Sequence, residues 1–99
     1  MNDRLSAIYQ HDPNIVSRLI AGEMVLVPIR NNVGDMECIY TLNETAARIW
    51  ELIDGQRSLA QVHQQMVSEF EINPRQAELD LLELIDSLLD NGALTKKQV

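Results

Sequence analysis

The chain has 99 residues, enough for one domain and little else. Its hydrophobic fraction of 45% and charged fraction of 23% exclude global disorder, and its single cysteine, Cys38, excludes an intrachain disulfide or a cysteine zinc cage. Fifteen acids against eight lysines and arginines leave a net charge of −7, which opposes a nucleic-acid partner.

Residues 1–13 are polar and end in His11-Asp12-Pro13, so they are expected to lie outside the core. Met1-Asn2-Asp3-Arg4 lacks the basic-then-apolar pattern of a secretory signal, and no apolar run approaches the roughly 20 residues that cross a bilayer. The cytoplasm is the expected compartment, with no membrane partner. Asn14–Ile20 is rich in β-branched residues and reads as a first strand, closed by the turn signal Ala21-Gly22. Glu23–Arg30 reads as a second, with Pro28 marking a strand end, bulge or edge. Asn31–Asp35 is a loop of turn residues. Met36–Leu42 reads as a third strand, with Met36, Cys38, Tyr40 and Leu42 on one face and Glu37, Ile39 and Thr41 on the other. Such short connections favour an antiparallel meander.

Three helices follow. Asn43 caps the first, whose stripe is Ala46, Ile49, Trp50 and Ile53, and Asp54-Gly55 stops it. Ser58 and Gln61 form a capping box for the second, with the stripe Leu59, Val62, Met66 and Phe70. Asn73-Pro74 with Gln76 opens the third, which runs to about Asn91 and stops at Gly92. Leu94 folds back on that helix, and residues 95–99 are expected to fray.

The third helix carries more apolar residues than one core face needs. On a wheel turned about 100° per residue from Ala77, Leu81, Leu84, Ile85 and Leu88 form the core arc. Leu82 and Leu89 fall near roughly 120–140° and Leu79 near roughly 200°, as an apolar shoulder. Asp80, Glu83, Asp86 and Asp90 hold the opposite side. Three readings of the shoulder stand: more core beneath the sheet, a wall of a partly open groove, or a dimer contact. A helix bound in the DNA major groove needs cations and amides outward, and this one offers mainly acids.

Catalytic and metal constellations are not expected. His11 and His63 share no acid–His–Cys spacing with Cys38, which reads as a small core hydrophobe. His63 reads as a half-buried structural histidine and Trp50 as the core anchor of the first helix. The helix-three acids lack the spacing and the glycine of a calcium loop. Neither an enzyme activity nor a cofactor is expected.

Leu42-Asn43-Glu44-Thr45-Ala46-Ala47-Arg48-Ile49-Trp50-Glu51-Leu52-Ile53-Asp54-Gly55 resembles the signature of the PqqD-like family, small relatives of pyrroloquinoline quinone biosynthesis protein D. Gly22-Glu23, Ser58-Leu59, Asp80–Leu88 and Asn91-Gly92-Ala93-Leu94 fit the same pattern, so the resemblance spans residues 14–94. It implies an α+β, winged-helix-like domain of three antiparallel strands followed by three helices. It also implies a peptide-binding module that captures the leader of a ribosomally made precursor peptide and presents it to a modifying enzyme, often a radical S-adenosylmethionine enzyme. The leader adds as a strand to the third strand and packs against the third helix. In this sequence that mode falls on Met36, Glu37, Cys38, Ile39, Tyr40 and Thr41 as the pairing strand. Arg75, Leu79, Leu82, Glu83 and Asp86 form the opposite wall. Arg75 would meet an acid of the leader or stay a solvated first-turn cation; Glu83 and Asp86 would meet a basic residue of the leader or stay a solvated face; Tyr40 would touch the ligand or pack in the core. The alternative is a winged-helix DNA-binding regulator. A monomer or weak homodimer is expected.

Overall fold

A computed structural model describes residues 3–29 and 40–97. After a short 3-10 turn at Asp3–Ser6 come β1 (Tyr9–His11), β2 (Ile15–Ile20), β3 (Glu23–Pro28) and β4 (Tyr40–Leu42). The helices α1 (Glu44–Leu52), α2 (Leu59–Phe70) and α3 (Pro74–Asp90) follow, then β5 (Leu94–Lys96). The strands β2, β3 and β4 form an antiparallel sheet in that order. The expected class, a three-stranded meander followed by three helices, is the one observed.

Each helix begins where its sequence signal lies. Asn43 Oδ1 accepts the Ala46 amide at 2.8 Å. Ser58 and Gln61 cap each other, the Ser58 amide donating to Gln61 Oε1 at 2.9 Å and the Gln61 amide to Ser58 Oγ at 3.3 Å. Asn73 Oδ1 takes the amides of Arg75 and Gln76, with Pro74 in the first turn. Asp54 closes the turn after α1 by accepting the Gln56 and Arg57 amides. Between β2 and β3 the connection is only Ala21-Gly22, and both residues have positive φ, 53° and 83°. A two-residue turn of this hand matches the twist of the strands it joins.

Sheet and helices enclose one core. Leu26 and Leu42 enter it from the sheet, Ile49, Trp50 and Ile53 from α1 and the residue after it, Leu59, Val62 and Met66 from α2, and Leu81, Leu84, Ile85 and Leu88 from α3. Met24 and Tyr40 pack partly buried against it on the same sheet face. Phe70, expected in the α2 stripe, is partly buried. The His63 ring, half-buried, sits with Nε2 2.6 Å from the Pro74 carbonyl oxygen and joins α2 to the start of α3.

Two expectations about the ends are corrected. The segment 1–13 is not outside the core: Tyr9 is 6% exposed and β1 pairs antiparallel with β5. The tail does not fray from residue 95, because Leu94–Lys96 is that partner strand. Polarity misled here because a ribbon of this length takes its stability from backbone pairing. The Leu59 amide donates to the Ala7 carbonyl, Lys97 to Ile8, Gly55 to Tyr9 and Asp12 to Ala93. Tyr9 then anchors the segment, with Leu5 and Ala7 packed partly buried beside the core.

Candidate functional site: a groove between β4 and α3

β4 is the last strand of its sheet, reached through the pairs Leu26–Tyr40, Val25–Thr41 and Met24–Leu42. Leu42 turns into the core and α1 starts immediately after it. This sharp exit leaves a gap between β4 and α3 that α1 floors. The gap is a groove of about 460 Å³, lined by Tyr40, Thr41, Asn43, Thr45, Ala46, Ile49, Ile72, Asp80, Glu83, Leu84 and Ser87. Its size is that of a pocket for a small ligand or a few side chains. Apolar Ala46, Ile49, Ile72 and Leu84 lie beside the hydroxyl and amide groups of the rim.

The α3 wall follows from helix geometry. Asp80, Glu83, Leu84 and Ser87 stand at i, i+3, i+4 and i+7, one face of the helix. That face lies on the flank of the core arc opposite Leu82 and Leu89. Of the wall residues expected from the sequence, only Glu83 therefore lines the groove. Leu82 and Leu89 pack partly buried against the core, the first of the three readings of the shoulder. Leu79 is 54% exposed and Arg75 is exposed in the first turn of α3, both off the groove face. Asp86 pairs with Arg4, 2.6 Å from its Nη2, and ties the 3-10 turn to α3. That bond raises the Arg4 guanidinium above its ordinary pKa.

Of the expected pairing strand, Tyr40 and Thr41 both line the groove. Tyr40 does so while packing partly buried against the core. Met36, Glu37, Cys38 and Ile39 lie outside the described residues. The sequence reading missed Asn43, Thr45, Ala46, Ile49, Ile72, Asp80, Leu84 and Ser87. A signal for two of them was present: Asp80 and Ser87 repeat at helical spacing with Glu83, alongside the core residue Leu84.

A second hollow of about 580 Å³ adjoins the first and shares Thr41 and Asn43 with it; Gly22, Glu23, Met24, Leu42, Glu44 and Ala47 complete it. Among the described residues no cluster of His, Cys, Asp and Glu could hold a metal ion. No helix among them is long and apolar enough to cross a membrane.

The sheet, the three helices and the cleft at the sheet's last strand define a small winged-helix-like domain with an open groove. The family model for coenzyme PQQ synthesis protein D (PqqD) matches residues 23–94, and the chain belongs to that family. Over 52 residues it is 38% identical to the PqqA binding protein of Xanthomonas euvesicatoria pv. vesicatoria (strain 85-10), a stretch that is 52% of this chain and 56% of that protein. The PqqA binding protein of Xanthomonas axonopodis pv. citri (strain 306) matches equally. The chain thus spans about half the length of the curated relatives it matches. Among solved structures, lasso peptide synthetase B1 complexed with the leader peptide is similar with a TM-score of 0.72 at 32% identity, covering 88% of this chain and 96% of that one. TbiB1 in complex with the TbiA(beta) leader peptide shares the fold, with a TM-score of 0.71 at 19% identity over 91% of this chain and 99% of that one.

Proposed function

We propose that this protein is a peptide-binding module without chemistry of its own, which captures the leader of a ribosomally made precursor peptide and presents it to a modifying enzyme. The leader adds as a strand along β4 and sets its side chains into the groove against Asp80, Glu83, Leu84 and Ser87. In the family's pattern the modifying enzyme is a radical S-adenosylmethionine enzyme. The observation that carries the reading is the groove between the sheet's last strand and α3. Support comes from relatives named for binding PqqA and from a 32%-identical relative solved with a leader peptide.

Magnitudes explain why strand and groove are needed together. About four backbone hydrogen bonds contribute roughly 0.5–1.5 kcal/mol each. Ordering a disordered peptide costs about 2–5 kcal/mol, so pairing alone roughly cancels. Micromolar affinity requires about −8 kcal/mol, and buried side chains at roughly 1.5–3 kcal/mol each supply the difference. Ala46, Ile49, Ile72 and Leu84 offer the apolar surface for them. Backbone pairing would set register, and the groove would set choice of peptide.

An amide NMR titration with synthetic leader peptides, that of PqqA first, tests the reading. Shifts are expected in Tyr40–Leu42 and along Asp80–Ser87. Shifts confined to β2 or to the Leu79 flank of α3 would overturn it. The DNA-binding alternative gains nothing from the structure: α3 exposes Asp80, Glu83, Asp86 and Asp90 against Arg75.

A further inference from the structure

Among the described residues, the charged groups of the groove all have one sign: Asp80 and Glu83 are the only charged side chains of its described lining, and both are exposed on the α3 wall. The adjoining hollow, which meets the groove at Thr41 and Asn43, adds Glu23 and Glu44. Among the described residues no lysine, arginine or histidine lines either space. Glu44 sits in the first turn of α1, where the helix dipole already offsets its charge. Asp80 accepts the neutral Gln76 side chain at 2.9 Å, which leaves its charge uncompensated. Glu83 has no hydrogen-bond or ion-pair partner among the described residues.

A strand laid along β4 would cover part of this wall and remove water from it. Carboxylates that lose solvent without gaining a cation oppose binding, whereas a facing ammonium or guanidinium reverses that cost. We infer that the groove selects peptides carrying a lysine or arginine at the position that faces Asp80 and Glu83, and rejects peptides with an acid there. This rests on the peptide-binding reading above and specifies the class of peptide. Selection of this kind acts mainly by repelling the wrong partner.

The test selects a randomised library of displayed linear peptides on the intact protein at low salt. The enriched sequences are then checked by amide NMR. Among peptides that shift Tyr40–Leu42, one position is expected to be enriched in Lys and Arg. Replacing that residue by Glu is expected to weaken binding about tenfold, with the difference shrinking as salt is raised. Glu83→Lys is expected to invert the preference, Glu83→Gln to flatten it, and Asp90→Lys, off the groove lining, to leave it in place. Groove-binding peptides with no cation preference, or with Lys and Glu forms within about twofold of each other, overturn this inference and leave the groove reading standing. Recovered peptides that never shift Tyr40–Leu42 overturn both.

Discussion

The His11 imidazole lies flat on the Trp50 indole, ring centroids 3.6 Å apart and planes 2° from parallel, with its Nε2 2.7 Å from the Trp50 carbonyl oxygen. Strand β1 is thereby fastened to α1 through both the ring and the backbone of one residue. In its neutral form the ring keeps this bond as the Nε2–H tautomer, donating to the carbonyl. Burial pushes the His11 pKa below its ordinary range, against the Trp50 carbonyl and the Asp54 charge, which pull upward. The unfolded chain therefore takes up this proton first, near about pH 6.5. Stability should fall as pH drops from there toward the lower folded value, and flatten below it. Thermal melts from pH 7 to 5 check this: His11→Phe, which keeps the stack, should decline less steeply than the parent.

Tyr9 is the buried residue of β1, as Leu94 is of its partner β5. Tyr9→Ala should cost about 3 kcal/mol, as for other large aromatic truncations. For a domain of this size that lowers Tm by more than about 10 °C. A melt within a few degrees of the parent would return residues 1–13 to the status of a dispensable segment.

Ala21 occupies the left-handed region at the first position of the β2–β3 turn, with φ 53°. That conformation costs an ordinary L-residue about 1 kcal/mol, and asparagine bears it better. Ala21→Asn should raise Tm by about 4 °C. Differential scanning calorimetry is sufficient to see it.

Arg48 on α1 clasps Glu69 on α2 with two bonds of 2.8 Å, Nε to Oε1 and Nη2 to Oε2. With help from Gln65, it draws the Glu69 pKa down to about 2. Because the folded value lies below the unfolded one, the contribution is present above the ordinary carboxylate range and is lost as pH falls through about 2. The deficit in Tm of Glu69→Gln should appear at pH 6, shrink with added salt and vanish near pH 2. A deficit unchanged across that range would mean that packing, not charge, holds the two helices here.

Ser87 lines the groove, whereas Leu79, 54% exposed, is not in its lining. Ser87→Trp should fill the groove and weaken leader binding by more than about tenfold, a loss typical of a blocked anchor pocket. Leu79→Asp should leave affinity within about twofold, as surface changes away from an interface do. Isothermal titration of both variants with one leader peptide compares the two positions directly.

Helix starts, the meander and most of the core were legible because each rests on a local rule. Caps need one or two named residues, and stripes need only a period. The groove face of α3 was not legible in the same way. Asp80 reads as a solvated acid on a wheel, and the leucine shoulder draws attention to a flank other than the one that lines the groove. Which side of a helix meets the sheet edge is decided by how three helices pack, and no single helix encodes that. The β1–β5 pairing escaped for a related reason: partners at opposite ends of the chain leave no periodic trace in either segment.

Ile49 and Leu84 belong at once to the core and to the groove floor. Any change there trades foldedness against recognition, so these positions have little room to drift. Thr45, Asp80, Glu83 and Ser87 carry no such double duty, whereas Asn43 also caps α1. A lineage could retune its choice of client peptide by rewriting this rim while the foundation beneath stays untouched.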